Sequence, residues 1–384
     1  MIKKILIILL TFFVVFSTSA QYADPKSLPE NDIKIYRGGD TYKVKMLTHE
    51  FKAVKPKNII LLIGDGLGVA QVFAGLTANK GNLYLENCRY IGFAKTASLT
   101  DYITDSAAGG TALSTGEKTY NGAIAVDTNQ KPLTTILEDA EENGLSTGLV
   151  STSAITHATP ASFIAHQHSR NLYEEIAADF LKTDIDVFIG GGYKHFSERK
   201  DGRNLIKELE NNGYTVLQDL NSIKNIKKGK LAGLTAYEHN GRIEERHDML
   251  PVATKTAIKI LRNNQNGFFL MIEGSQIDWG GHEQSTSYIV EEMLDFDRAV
   301  GEALKFAAKD GETLVIVTSD HETGGMAVHN GNFETGMVHG EFTTNNHTGL
   351  MVPVFAYGPG ADEFIGFMEN TDIHAKMKKL LFGN

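Results

Sequence analysis

Six apolar runs of strand length recur through the chain, separated by segments with helical spacing. They are 58–63 (NIILLI), 146–151 (STGLVS), 187–189 (VFI), 267–272 (GFFLMI), 313–318 (TLVIVT) and 352–357 (VPVFAY). Runs without polar alternation are buried on both faces, and strands that alternate with helices form a mostly parallel sheet covered on both sides. Helical spacing appears at 133–143, 172–182, 254–263 and 287–309, and Gly144 stands where a helix stop belongs. The expected fold class is α/β, a three-layer α/β/α sandwich around a large, mostly parallel central sheet. At 384 residues, 42% of them hydrophobic, the chain can build one large domain of this kind or two ordinary ones.

Residues 1–20, MIKKILIILLTFFVVFSTSA, set Lys3 and Lys4 before an apolar run that ends in small residues. This is the pattern of a secretory signal peptide with cleavage after Ala20. The run falls short of the about 20 apolar residues that span a membrane, so no anchor is expected after cleavage. The product is expected in a periplasm or outside the cell. Residues 21–57 read as an arm and lead-in punctuated by Pro25, Pro29 and Pro56, and 58–384 as the main domain. Within it, 194–250 is rich in Lys, Asn, Glu and Gly and reads as an insertion at the sheet's edge. Residues 326–346 read as a long Gly/Asn/Thr-rich loop, of a length usually tied to function or mobility.

Cys88 is the one cysteine, which excludes an internal disulfide framework and cysteine-built metal sites. A formal net charge of −10 argues against a nucleic-acid partner. Thirteen histidines and 47 acidic residues remain, so any metal site here is built from nitrogen and oxygen.

Ligands of open parallel sheets bind beyond the carboxyl ends of the strands. Here the apolar runs lead into residues that bind metal or phosphate. The first enters Gly64-Asp65-Gly66, the second Thr152 and then His157-Ala158-Thr159-Pro160. The fourth ends at Glu273-Gly274-Ser275, followed by Asp278 and His282, and the fifth at Ser319-Asp320-His321-Glu322. Asn346-His347-Thr348-Gly349 lies just before the last. Each has an ordinary explanation: Asp65 as a turn residue, Asp278 and His282 as an exposed ion pair, His347 as a surface histidine like its neighbours His329 and His339. Their convergence argues otherwise, because carboxylates crowded together take up protons unless cations hold them. Three Asp, one Glu and three His suit zinc and a harder companion ion. Ser106 precedes a small-residue run that could start a helix, where backbone N–H groups favour an anion; alone, it would be a plain cap. Arg170 offers a fork matched to phosphate oxygens, and alone would be a surface arginine.

The segments DGLG around Asp65, TDSAAGGTA around Ser106, STGEKTYNGAI, HATPASFIAH through Arg170, EGSQIDWGGH, VTSDHETGG, and NHTG followed by AYGPG resemble the alkaline phosphatases, in that family's order. The resemblance implies an alkaline-phosphatase-like catalytic domain that hydrolyses phosphate monoesters through a phosphoserine on Ser106. It also implies two Zn2+ ions and one Mg2+ ion. Asp320, His321 and Asp65 would hold the zinc beside Ser106; Asp278, His282 and His347 would hold the other; Thr159 and Glu273 would join Asp65 at magnesium. Arg170 would bind the substrate phosphate, released as inorganic phosphate. The family pattern implies a homodimer, with a monomer as the alternative.

Two positions depart from the best-known bacterial pattern, which has aspartate and lysine where this chain has His157 and Trp279. Both count as substrate-side residues. The missing lysine implies weaker phosphate retention, and His157 a third site more open to zinc. Rival readings are a phosphodiesterase or related phosphoryl or sulfuryl hydrolase of the same superfamily, and a noncatalytic exported zinc-binding protein. No C/S-x-P-x-R setting of a sulfatase surrounds Ser106 or Cys88, and zinc binding alone needs neither Ser106 nor Arg170.

Overall fold

In the computed structural model, which describes Pro29 and residues 32–383, the elements below all lie in the unit Ile33–Asn384. The expected signal peptide and its cleavage point fall outside the described residues. A ten-stranded sheet runs in the order Gly366–Glu369, Tyr90–Lys95, Val352–Tyr357, Thr313–Thr318, Asn58–Gly64, Phe268–Gly274, Ser146–Ala154, Val187–Gly191, Leu231–Leu234 and Thr215–Leu217. Every pairing is parallel except those of Val352–Tyr357, which runs against both neighbours.

The three central strands are buried along their whole length. Alternate side chains serve opposite faces, as the period of a strand requires. Ile59, Leu61, Phe269, Met271 and Ile316 fill one core. Ile60, Leu62, Leu270, Ile272 and Val317 fill the other. Helices Val69–Ala78, Met249–Leu261 and Thr286–Asp310 cover the second core through Ala74, Leu250 and Met293. Helices Ile136–Glu142, Tyr173–Asp179 and Asn370–Phe382 cover the first through Ile136, Ile176 and Met377. The result is the expected three-layer α/β/α sandwich. Helix Ile136–Glu142 starts in a capping box: the Thr135 hydroxyl accepts from Glu138 N at 3.2 Å while Thr135 N donates to Glu138 Oε2 at 2.9 Å.

The four strands absent from the list of apolar runs are all at the flanks. Tyr90–Lys95 alternates exposed and buried positions, and Thr215–Leu217 has three residues, so neither reads as a continuous apolar run. Residues 194–250 supply Thr215–Leu217 and Leu231–Leu234 to the sheet's edge. Residues 326–346 differ from the loop expected of their composition. Met326–Asn332 and Met337–Phe342 form an antiparallel ribbon, bulged between Val328 and Asn330 and extended by Ile35–Tyr36. Glycine and asparagine hide the strand pattern, yet Met326, Val338 and Gly340 are buried. His339 is also corrected: it is buried, at 4% exposure, while His329 stays on the surface.

The stretch 235–250 is held under the sheet's rim by charge. Arg246, 3% exposed, donates to Glu292 Oε1 at 2.9 Å and to Asp295 Oδ2 at 2.7 Å on helix Thr286–Asp310. Gln276 adds a bond to Asn240 O at 2.9 Å. Removing the guanidinium leaves Glu292 buried without a countercharge and Asp295 with Arg298 alone, at 2.9 Å, which costs about 3–5 kcal/mol. Arg246→Met is therefore expected to lower unfolding stability by that amount in a denaturant titration. A triple variant that also replaces Glu292 and Asp295 with Gln and Asn is expected to recover part of it.

Candidate active site

Every parallel central strand delivers its last residues to one rim. Asp65 follows Asn58–Gly64 and is pinned by its N–H to Gly274 O at 3.1 Å. Gly66 makes the turn possible: its φ is +77°, and a Cβ there would stand 2.6 Å from Asp278 Cα. Glu273 ends the adjacent strand, and helix Gln276–His282 carries Asp278 and His282 four residues apart on one face. Asp320 and His321 follow Thr313–Thr318. His347 precedes Val352–Tyr357, and the reversed direction of that strand brings its amino end to the same rim.

Three groups of ligand atoms result, each within 4.8 Å: Asp278, His282 and His347; Asp65, Asp320 and His321; and Asp65, His157 and Glu273. Thr159 Oγ1 lies 3.5 Å from Asp65 Oδ2. The candidate ligands named from sequence thus come together, and His157 is itself a member of the third group. Imidazole orientation is set from behind. His282 Nδ1 faces Asn345 O at 2.8 Å and His347 Nδ1 faces Thr104 O at 2.9 Å, so both present Nε2 to Asp278, at 3.3 and 3.5 Å.

Ser106 opens helix Ser106–Thr115, and its Oγ lies 3.2 Å from His321 Nε2. Gly109 in that helix lets it approach Asp320, whose Cβ would be 3.0 Å from an added Cβ. Asp105, the N-cap, accepts from Ala108 N at 3.0 Å and from Arg170 Nη1 at 2.9 Å. One carboxylate therefore starts the helix and holds the guanidinium beside the serine. Arg170 Nη2 donates to His157 Nε2 at 3.3 Å. Trp279 packs edge-on to His157 and His239, with ring centroids 6.4 and 5.1 Å away.

The electrostatics show what such a rim demands. Asp65, Asp320 and Glu273 are 0% exposed. Burial, then the charges of Asp320, Asp278 and Glu273, push the Asp65 carboxyl well above the usual range. Asp320 is pushed up to about 8 by burial and then by Asp278 and Glu273. Burial also raises Asp278, but the His282 hydrogen bond and the charges of His321 and His347 outweigh it and hold the group low. The same bond raises His282 to about 9. Burial, helped by Arg170, holds His157 well below the usual histidine value, so it is neutral. Burial opposes the Arg170 charge, and Asp105 more than restores it.

Asp65 Oδ1, Asp320 Oδ2, Glu273 Oε1 and His157 Nδ1 are enclosed with no hydrogen-bond partner among the described residues. Buried acceptors without donors are costly and rare. Divalent cations fit these atoms, since nitrogen with carboxylate suits zinc and oxygen suits magnesium.

Sequence reasoning passed over several supporting groups. In sequence, Asp105 stands in an Asp-Ser pair that is legible for its serine alone. Thr323 Oγ1 donates to Asp278 Oδ1 and lies 3.2 Å from His321 Nδ1. Ser151 donates to Glu273 Oε2 at 2.5 Å from inside an apolar strand. His239 comes from the edge segment and no motif contains it. Position beside a ligand in space, not along the chain, is the signal for each.

Comparison with known proteins agrees with this geometry. The alkaline phosphatase family model matches residues 56–340. Alkaline phosphatase 3 of Bacillus subtilis (strain 168) is 34% identical, over 99% of this chain and 97% of that protein. The alkaline phosphatase of Escherichia coli (strain K12) is 34% identical, over 85% of this chain and 86% of its own length. The solved alkaline phosphatase from the Antarctic bacterium TAB5 superposes with a TM-score of 0.80 at 43% identity, covering 86% of this chain and 99% of that one. A TAB5 variant is described with magnesium bound in its M3 site. The chain belongs to the alkaline phosphatase family, whose activity is the hydrolysis of phosphate monoesters.

Proposed function

We propose that this phosphomonoesterase uses Ser106 as nucleophile, Arg170 as phosphate clamp, and three divalent cations at the rim: two zinc ions and one magnesium. The observation that carries the reading is the set of enclosed, unpartnered ligand atoms on Asp65, Asp320, Glu273 and His157 beside the Ser106 hydroxyl. Asp65, Asp320 and His321 would hold one zinc, and Asp278, His282 and His347 the other. Asp65, Thr159 and Glu273 would hold magnesium, with His157 alongside and opening that site to zinc. Bound there, the cations supply the positive charge that acidifies the serine hydroxyl and a water and offsets the phosphoryl oxygens.

Arg170 receives the phosphate in a forked pair of hydrogen bonds, and Asp105 keeps the fork aimed. Ser106 Oγ attacks phosphorus, its proton passing to water, while the phosphorus–alkoxide bond opposite breaks and the alcohol leaves. In that step the alkoxide leaves as the alcohol by taking up the proton that Ser106 gave to water. Water then attacks the phosphoserine, its proton passing to Oγ as the phosphorus–Oγ bond breaks, and inorganic phosphate departs. Of the three groups, that of Asp278, His282 and His347 opens to solvent, with His282 39% exposed. This supports alcohol release and water entry on that side. Trp279 offers ring edges and no charge to the departing phosphate, which favours fast release. Residues 1–20 support export to a periplasm or the medium. Val69, Phe73, Leu350 and Met351 are exposed apolar side chains near the rim, a face that supports a homodimer.

Ser106→Ala is expected to retain its metals by elemental analysis and to lose roughly 10³-fold or more in kcat on para-nitrophenyl phosphate. Arg170→Ala is expected to lose about 10²-fold in kcat/KM. Wild type is expected to cleave the monoester well and bis-para-nitrophenyl phosphate poorly, and chelation to abolish both; preference for the diester would reverse the reading.

The cation-free rim carries protons that cations must displace. His282 is raised to about 9 and Asp320 to about 8, so near pH 7.5 both are protonated without metal. Adding zinc to the chelated protein in weak buffer at that pH is expected to release protons to an indicator dye. Zinc affinity is expected to fall as pH falls below about 8.

A further inference from the structure

A cavity of about 600 Å³ opens where the chain leaves Arg170, between the start of helix Tyr173–Asp179 and the edge segment. It is far larger than a glycerol-sized alcohol requires. Two lines of contact join it to the reacting end. Asn171, on its wall, follows Arg170 in the chain, and Tyr173, also on its wall, comes two residues later. His239, also on its wall, is 5.5 Å from His157, whose Nε2 accepts from Arg170.

The walls combine an aromatic stack with paired charges. Tyr173 stacks on His195 at 4.7 Å between centroids and 22° between planes, and both line the cavity. His195 is fixed by Thr156 Oγ1 at 2.7 Å from its Nδ1. Arg199, whose side chain is 4% exposed, pairs with Asp201 and donates to His195 O at 3.2 Å, and Lys194 pairs with Glu238. Glu174, Glu175 and Lys200 also line the cavity, so acids outnumber bases by one and the wall disfavours a second anionic group. His239 Nδ1 accepts from Ala154 N at 3.0 Å, which leaves Nε2–H as the donor the ring can offer. An aromatic stack, a hydrogen-bond donor and a roomy wall without excess positive charge suit an uncharged planar heterocycle carried on a sugar.

We propose that this cavity is a subsite for the alcohol half of the substrate and that it favours nucleoside monophosphates, with Tyr173 as the stacking residue and His239 at the entrance. The proposal rests on the reading of Ser106 and Arg170 as the phosphate end. The test compares kcat/KM for adenosine 5′-monophosphate with that for glycerol 1-phosphate. Their ratio is expected to fall about tenfold in Tyr173→Ala and to stay within about twofold of wild type in Tyr173→Phe, since the ring face does the stacking. An unchanged ratio in Tyr173→Ala overturns the proposal, as does an equal loss in Tyr173→Phe.

Adenosine binding to the wild-type protein, read by calorimetry, judges the cavity without any turnover. Binding that Tyr173→Ala weakens supports the subsite, and absence of binding overturns it. If wild type hydrolyses neither ester, the phosphatase assignment of the site fails, and the adenosine titration still decides whether the cavity takes a nucleoside.

Discussion

Asp65, Asp320 and Glu273 stand together in a volume closed to bulk water, with Asp278 at its solvent edge, and much of the surrounding architecture follows from making that arrangement possible. Like charges at such separations repel, and low polarisability around them removes the screening that water would supply. Arg170 is already engaged by Asp105. The rim therefore has three ways to become neutral: protonation, unfolding, or cations. Its geometry answers for cations, because hydrogen bonds from Asn345 and Thr104 carbonyls orient two imidazoles toward Asp278 rather than away from it.

The fold serves this rim through direction of travel. Parallel strands release their last residues on one side of a sheet, which brings Asp65, Glu273, Asp320 and the 152–159 segment together without long loops. His347 needed a different solution, since it comes before its strand. Val352–Tyr357 runs antiparallel between Thr313–Thr318 and Tyr90–Lys95, and that reversal carries the histidine to the ligand side. Asp105 is the other economy. Capping Ser106–Thr115 and clamping Arg170 with one carboxylate fixes the serine hydroxyl and the guanidinium relative to each other.

Legibility in the sequence followed burial. The central strands were readable because water touches neither face, so NIILLI, GFFLMI and TLVIVT contain almost no polar residue. The candidate ligands Asp65, Glu273, Asp320 and His321 were readable because they stand where apolar runs end. Flanking strands such as Tyr90–Lys95 mix exposed and buried positions and lose that signal. The ribbon at 326–342 is held by pairing with Ile35–Tyr36, nearly 300 residues away, and no local pattern reports such a partner. His239 and Thr323 were silent for the same reason. Their meaning lies in which ring or carboxylate they meet after folding.

Asp65 belongs to two of the three ligand groups at once. A shared carboxylate links the two sites energetically. An ion that displaces the proton from Asp65 would hand its neighbour a charged ligand already in position, while repulsion between the two cations would act the other way. Whichever effect prevails, each ion would change the affinity for the other by the same factor, so neither site could be filled or emptied without a response at its neighbour.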